Sequence, residues 1–214
     1  MIRLLLVDDH ALFRSGMRSV LESAGDIDVV AEAASGEEAI EYVRNTPPDL
    51  VLMDVNMPGI GGIEATRKIV RMNPDVGVIA VTALSGDPFP DQLLDAGARG
   101  YLSKGCAAEE LFEAIRTVAQ GRHYISAEVA QRLALGRLAK QGENSPLSEL
   151  SARELQVMLM IVQGQSNQAI SDALFLSPKT ISTYRHRLYE KLGVTNDVEL
   201  THFAIRHNIV DPSS

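Results

Sequence analysis

Short apolar runs alternate with longer amphipathic stretches through the first 120 residues of the chain. The runs are bounded by turn-forming residues and are too short for helices, so each predicts a buried strand. The stretches between them repeat apolar positions every three or four residues, which predicts helices. Five strand–helix pairs predict an α/β fold with a doubly wound parallel sheet. Strands are expected at 2–7, 28–34, 50–53, 76–81 and 100–102, and helices at 11–23, from 36 onward, and at 64–72, 88–96 and 107–120.

The pattern changes after residue 147, where only helical spacing remains. Ser151 with Glu154 has the form of a capping box, and Ser177-Pro178 is a typical helix start. Four short helices are expected, beginning at Ser151, at Ser166, at Ser177, and at Asn196 or Thr195. The second half is therefore predicted to be an all-α domain of four helices.

Between these halves the sequence is mixed. Residues 127–140 keep a helical spacing, and 141–146 is a polar segment containing glycine and proline that predicts a flexible break. We therefore expect one domain at 1–120, a partly helical linker at 121–147, and a second domain at 148–214.

Charge is distributed unevenly over the 214 residues, whose net charge is −8. Residues 1–120 carry a net charge of −9 and residues 121–214 a net charge of +1. This asymmetry favours two domains with different tasks. The lone Cys106 cannot form an internal disulfide, and no apolar run approaches the length of a membrane span. A cytoplasmic protein without a membrane partner is expected.

Polar residues stand where the predicted strands end. Asp8 and Asp9 follow the first strand and Asp54 the third, while Thr82 and Lys104 follow the fourth and fifth. Because parallel strands end at one edge of a sheet, these groups should converge.

Clustered carboxylates repel one another unless a cation neutralises them, and Mg²⁺ prefers such oxygen ligands. The expected direct ligands are Asp9 and Asp54. Asp8 is expected to act through water, and Asn56 through its backbone carbonyl. Lys104 and the Thr82 hydroxyl would contact an incoming phosphoryl group.

The motifs at these strand ends resemble the receiver domains of two-component response regulators, which have a flavodoxin-like five-stranded sheet. The resemblance implies that Asp54 is the phosphoacceptor, charged by a sensor histidine kinase, and that Thr82 and Tyr101 form a switch pair. It rests on Val7-Asp8-Asp9-His10, the segment from Met53 to Gly59, Val81-Thr82-Ala83, and the segment from Gly100 to Gly105.

A hydrolase of the haloacid-dehalogenase type is the rival interpretation, since it also forms an aspartyl phosphate. Such an enzyme needs a second aspartate two positions after the nucleophile, and this chain has Asn56 there. The sequence therefore favours a regulator over an enzyme.

The third helix of the second half combines cations with hydrogen-bonding side chains. Its cations are Lys179, Arg185, Arg187 and Lys191, and its only acid is Glu190. Such a helix after a tight turn is typical of DNA-reading modules, although a docking bundle that binds protein partners is an alternative. The motifs at 150–154, 170–174 and 176–185 resemble the LuxR/NarL-type helix-turn-helix. That resemblance implies base contacts from Ser182, Thr183 and His186, and phosphate contacts from Lys179, Thr180, Tyr184 and Arg187.

Three further segments are informative: Asp87-Pro88-Phe89-Pro90, Tyr124-Ile125-Ser126 and Asp197-Val198-Glu199-Leu200. With them, the chain over nearly its full length resembles the NarL/FixJ family of response regulators, and within it the GacA/UvrY-type group of global regulators. This resemblance implies a hybrid sensor kinase as partner and binding to double-stranded promoter DNA as a homodimer after phosphorylation. It also implies activation of genes for small regulatory RNAs, with RNA polymerase as a further partner.

Overall fold

The computed structural model describes residues 1–82, 89–126, 129–130, 146–207 and 209. The described residues divide into two compact units, one on each side of the 131–145 stretch, and each unit is described by itself. The helix expected over 127–140 and the break after it lie almost entirely outside the described residues.

The first unit is built on a parallel sheet with the strand order β2-β1-β3-β4-β5-β6. The predicted α/β fold is confirmed. The structure adds a sixth strand, of two residues, which pairs with β5 and is too short to show any periodicity. The strands are β1 (Ile2–Val7), β2 (Ile27–Ala33), β3 (Leu50–Asp54), β4 (Gly77–Thr82), β5 (Gly100–Ser103) and β6 (Tyr124–Ile125).

Helices pack on both faces of this sheet, which explains why its central strands are apolar throughout. Leu50 and Leu52 of β3 lie in the core cluster that includes residues of α5, and Val51 and Met53 lie in the cluster that includes residues of α2 and α3. Successive side chains of a strand point to opposite faces, so each β3 residue is buried on one face or the other. The helices of this unit are α1 (Ala11–Glu22), α2 (Gly36–Asn45), α3 (Gly61–Met72), α4 (Phe89–Asp95) and α5 (Ala108–Ala119).

The register of the sheet brings the strand ends to one edge. Val7 pairs with Met53, Asp54 with Val81, and Thr82 with Ser103. The residues that follow β1 and β5 are therefore held beside the last residues of β3 and β4. The Lys104 amide donates a hydrogen bond to the Thr82 carbonyl over 2.7 Å, which extends the pairing by one residue.

The turn after β3 passes very close to the strand it leaves. A Cβ atom at Gly62 would lie 2.0 Å from the carbonyl oxygen of Asp54, so only glycine fits there. On the other side of the turn, the Ile60 amide donates to Glu37 Oε1 over 3.0 Å. These contacts hold the loop that carries Asn56 against the body of the unit.

The second unit contains the four predicted helices, preceded by a 3₁₀ turn at Pro146–Glu149. The expected caps are present, because the side chains of Ser151, Ser166, Ser177 and Asn196 each accept a hydrogen bond from the backbone of the helix they begin. Asn196, rather than Thr195, caps the last helix. The helices are α6 (Ala152–Val162), α7 (Asn167–Leu174), α8 (Pro178–Leu192) and α9 (Asp197–Arg206).

Glu154 joins the start of α6 to the end of α8. Its Oε2 accepts hydrogen bonds from the Ser151 amide over 2.8 Å and from Lys191 Nζ over 2.7 Å. Burial acts to raise the pKa of Glu154, but the bonds from Lys191 and Ser151 outweigh it and lower the pKa below its ordinary value. A buried carboxylate with these partners stabilises the helical unit as long as it stays ionised.

We expect Glu154→Gln to destabilise the helical unit by about 1–3 kcal/mol, because Lys191 loses the charge of the buried carboxylate that it contacts. Since the folded-state pKa is depressed, the parent has this stability above the unfolded pKa and loses it as pH falls through the folded pKa. Hydrogen exchange of α6 amides at pH 7 and pH 4 measures both effects. Glu190→Gln, the same change at an exposed acid of α8, is the control and should leave exchange unchanged.

Candidate functional site

Lys104 joins the ends of β1 and β3. Its Nζ donates hydrogen bonds to Asp8 Oδ2 over 2.6 Å and to Asp54 Oδ2 over 2.8 Å. The side chains of Asp8 and Asp54 are 1% and 2% exposed, and that of Lys104 is 16% exposed. The structure therefore brings together three of the residues predicted to converge, as a nearly buried pair of carboxylates with one cation.

Asp9 and His10 complete the cluster on the side of the first strand. His10 Nδ1 lies 3.2 Å from Asp8 Oδ1 and 3.0 Å from Asp9 Oδ1, and the His10 amide donates to Asp8 Oδ1 over 2.7 Å. His10 belongs to the Val7-Asp8-Asp9-His10 motif but has no predicted role of its own. Its position directly after the acidic pair was the signal that could have identified it.

The ionised form of Asp54 is poorly stabilised. Burial is the main cause that raises the pKa of Asp54 to about 6, and the charge of Asp8 adds to it. The ammonium of Lys104 and the Asn56 amide, which donates to Asp54 Oδ1 over 3.1 Å, act in the opposite direction but do not cancel the effect. The positive charge of Lys104 therefore does not fully offset the burial of the Asp54 carboxylate and the negative charge of Asp8.

The donor atoms fit a hard divalent cation. Asp8, Asp9, His10 and Asp54 each present a ligand atom, and these atoms all lie within 4.8 Å of one another. Asp9 Oδ1 is shielded from solvent and, among the described residues, has only the His10 ring nitrogen at 3.0 Å beside it, without the geometry of a hydrogen bond. Carboxylate oxygens at this spacing suit Mg²⁺, which takes one or two of them and keeps waters or phosphate oxygens in its other positions.

Thr82 and Tyr101, the predicted switch pair, both lie inside the unit. Thr82 ends β4 with 1% of its surface exposed, and Tyr101 lies in β5 with 3% exposed. Tyr101 pairs in register with Ala80 and Ile125. The tyrosine ring is thus in an inward position in this structure.

Two residues of the first turn of α1, neither of them a predicted site residue, also reach the cluster. Lys104 Nζ lies over the ring of Phe13, 4.5 Å from its centroid. Arg14 Nη1 donates to the backbone carbonyl of Asp8 over 2.5 Å. Helical side chains extend toward the N-terminus of their helix, so the first turn covers the strand end before it. That geometry was the available signal.

In the second unit, α8 forms most of an open groove of about 300 Å³. Five of the seven residues predicted to contact DNA line it, together with the cap residue Ser177. The five are Lys179, Thr180, Thr183, Tyr184 and Arg187. The other two, Ser182 and His186, are exposed on the same helix. Ser182 Oγ donates to the Pro178 carbonyl over 3.1 Å, and His186 Nε2 lies 3.4 Å from Glu190 Oε1.

Two of the four cations of α8, Arg185 and Lys191, contact residues of other segments of the unit and do not line the groove. The Arg185 guanidinium is 17% exposed and contacts Asn167 and Asp197. Lys191 contacts Glu154, as described above. The basic character of the groove therefore comes from Lys179 and Arg187. Within the part of the chain that the structure describes, no helix is long and apolar enough to cross a bilayer.

Known families match both units. The response regulator receiver domain matches residues 4–116, and the bacterial regulatory proteins of the luxR family match residues 148–204. The chain belongs to the LuxR family of two-component response regulators.

Full-length relatives agree with this assignment. The response regulator GacA of Pseudomonas viridiflava is 53% identical over 214 residues, which is all of both chains. The response regulator UvrY of Escherichia coli K12 is 51% identical over 209 residues, which is 98% of this chain and 96% of UvrY.

Solved structures of response regulators resemble this one. RcsB of Salmonella typhimurium has a TM-score of 0.75 and 25% identity, covering 96% of this chain and 98% of RcsB. RcsB bound to the promoter rprA in the presence of the phosphomimetic BeF₃⁻ has a TM-score of 0.69 and 25% identity, covering 94% of this chain and 97% of that chain. The expected resemblance to GacA/UvrY-type regulators is confirmed.

Removing the acid of Asp54 should stabilise the response regulator when no divalent cation is present. Because the folded-state pKa of Asp54 is raised, its carboxylate costs stability that increases from about pH 4 to pH 6 and is constant above. We expect Asp54→Asn to raise the free energy of unfolding at pH 8 by on the order of 1 kcal/mol. This is less than the free energy that corresponds to the whole pKa shift of Asp54, because Lys104 loses one hydrogen-bond partner in the variant.

Urea unfolding in EDTA at pH 8 and pH 4.5 measures this difference, which should shrink at the lower pH. Asp75→Asn, the same change at an exposed acid, should have no effect at either pH. A variant less stable than the parent at pH 8 would show that the Lys104 contact outweighs the burial of the carboxylate.

Proposed function

We propose that Asp54 accepts a phosphoryl group from a sensor histidine kinase of the hybrid type, and that the phosphorylated regulator binds promoter DNA as a homodimer to control transcription. The observation that carries this proposal is the single ammonium of Lys104 held between two buried carboxylates. Such a cluster has an excess of negative charge that attracts a divalent cation, and it holds a nucleophilic carboxylate 2.8 Å from the Lys104 ammonium.

The transfer step follows from the state of Asp54. With a pKa of about 6, its carboxylate is largely ionised at neutral pH and can act as a nucleophile. One of its oxygens attacks the phosphorus of a phosphohistidine. An oxygen–phosphorus bond forms, the phosphorus–nitrogen bond breaks, and the imidazole leaves with its electron pair and takes up a proton.

Lys104 and the metal ligands support this step. Lys104, already 2.8 Å from Asp54 Oδ2, exchanges that contact for one to a phosphoryl oxygen. The proposed ligands of Mg²⁺ are Asp9 and Asp54 directly, Asp8 through water, and the backbone carbonyl of Asn56. When bound, the ion neutralises charge on the phosphoryl oxygens.

The phosphoryl group is proposed to act on the rest of the unit through Thr82 and Tyr101. Thr82 ends β4 one residue after Val81, the pairing partner of Asp54, and its hydroxyl is proposed to bond the new group. The Tyr101 ring is already buried in this structure, so movement of Thr82 is proposed to favour this inward state over an outward one. The inward position of Tyr101 is one of the two states such a switch requires.

The DNA contacts are proposed on α8, with Ser182, Thr183 and His186 at base edges and Lys179, Thr180, Tyr184 and Arg187 at phosphates. The groove that five of them line supports this assignment. The promoter complex of RcsB, a solved relative in fold, supports the same use of the helical unit. The proposed domain limits are 1–120 and 148–214, with a linker at 121–147. The proposed location is the cytoplasm. The proposed targets include genes for small regulatory RNAs, with RNA polymerase as a further partner at their promoters.

The site of phosphorylation can be tested by intact mass after incubation with acetyl phosphate and Mg²⁺. We expect one added phosphoryl group in the parent and none in Asp54→Asn, with tighter DNA binding of the parent sample alone. Asp75→Asn should be phosphorylated like the parent. An adduct that persists in Asp54→Asn would contradict the assignment of Asp54.

The helical unit can be tested through the salt dependence of DNA binding. A protein that contacts phosphates loses affinity as salt rises, with a slope of roughly 0.9 per phosphate in logarithmic terms. We expect Lys179→Ala and Arg187→Ala each to weaken binding and to reduce this slope by roughly one unit. Lys68→Ala removes the same charge from an exposed position in the first unit and is the control. Unchanged slopes in both α8 variants would favour a bundle that docks on protein.

A further inference from the structure

We infer that Phe13 is a positioning residue for Lys104, holding its ammonium on the aromatic face beside Asp8 and Asp54. The role is a step beyond the proposed function and rests on it, because the position of Lys104 matters for phosphoryl transfer only if Asp54 is phosphorylated.

The contact has the geometry of a cation–π interaction. Lys104 Nζ lies over the ring at 4.5 Å from the centroid, well within the range of roughly 6 Å in which such contacts are attractive. The ammonium has three N–H donors, and two of them are used by Asp8 and Asp54. The ring therefore adds a third attraction, from a group that does not compete with the carboxylates for donors.

The ring is held in place by its own helix. Arg14, the next residue, donates to the carbonyl of Asp8 over 2.5 Å, and its Nε lies 3.4 Å from Glu32 Oε2. The Arg14 side chain is 17% exposed, so this link between α1, β1 and β2 is partly shielded from water. The first turn of α1 is thereby tied to the same strand end that carries Asp8, which fixes the distance from Phe13 to the acids.

An aromatic ring at this position has a clear chemical consequence. Lysine is a long, flexible side chain that loses rotamer freedom when it is held in one place. During phosphoryl transfer, Lys104 must release one carboxylate and contact a phosphoryl oxygen without leaving for solvent. The ring face keeps the ammonium in the cluster while its donors change partners. Leucine would fill much of the space but would lack the negative face that attracts the cation.

The experiment compares Phe13→Leu with the parent in the full-length chain, together with two further variants. Phe13→Tyr keeps the ring and should restore parent behaviour. Phe112→Leu is the matched control, because Phe112 is also a partly buried aromatic residue beside a cation, Arg116, at 5.9 Å. It tests whether loss of any such ring from this unit has the same effect.

Three quantities are measured. The first is the initial rate of Asp54 phosphorylation by phosphoramidate with Mg²⁺, followed by intact mass. The second is the affinity for Mg²⁺, by calorimetry. The third is the ring-current shift of the Lys104 side-chain protons, by nuclear magnetic resonance, which reports the contact without any phosphorylation.

We expect Phe13→Leu to phosphorylate roughly three- to tenfold more slowly, with unchanged Mg²⁺ affinity and without the upfield shift of Lys104. Phe13→Tyr and Phe112→Leu should match the parent in all three. A Phe13→Leu rate equal to the parent's would overturn the inference. So would a Phe13→Tyr variant as slow as Phe13→Leu, or a Mg²⁺ affinity that falls with the rate, since either indicates general damage to the cluster.

Failure of the proposed function gives a different result. If the parent takes up no phosphoryl group while its Lys104 protons still show the ring-current shift, the proposed function is wrong and the role of Phe13 in it is wrong as well. If the parent is phosphorylated and only the Phe13 variants behave otherwise than expected, the proposed function stands and this inference does not.

Discussion

Two carboxylates, Asp8 and Asp54, are buried at neighbouring strand ends with one ammonium between them. Taking like charges out of water is unfavourable, and a single cation offsets only part of the cost. The three groups are 46 to 96 positions apart in the chain, and the parallel register of β1, β3, β4 and β5 is what brings them together. The rest of the first unit serves this arrangement. Helices on both faces bury the strands, and close contacts of Gly62 in α3 and Glu37 in α2 hold the loop after Asp54 in place.

The same incomplete neutralisation gives the site its chemical capacity. A cluster that was fully neutralised by protein groups would have no affinity for a further cation and little tendency to rearrange. Here the pKa of Asp54 remains raised, to about 6, despite the contact with Lys104. Destabilised groups of this kind are typical of functional sites. The cost in stability and the proposed affinity for a cation therefore have one physical origin.

The helical unit separates two uses of positive charge on a single helix. Arg185 and Lys191 of α8 contact acids of other segments, Asp197 and Glu154, and so hold the helices together. Lys179 and Arg187 lie on the groove side. Arg185 and Arg187 are two positions apart and therefore point to nearly opposite sides of the helix, so one packs within the unit while the other lines the groove.

The sequence alone determined the elements and most of the chemistry of this protein. Apolar runs and helical spacing depend on nearest neighbours, as do caps such as Ser151 and Ser177, so local pattern was enough to predict them. The convergence of Asp8, Asp54 and Lys104 followed from one general rule, that parallel strands end at the same edge. The tertiary structure alone decided the rest. It added strand β6, whose two residues are too few to show a hydrophobic pattern. It also placed the Phe13 ring against the Lys104 ammonium and the Arg185 guanidinium in contact with Asp197. Those contacts depend on the packing of segments distant in sequence, and no local pattern encodes which neighbour a side chain will meet.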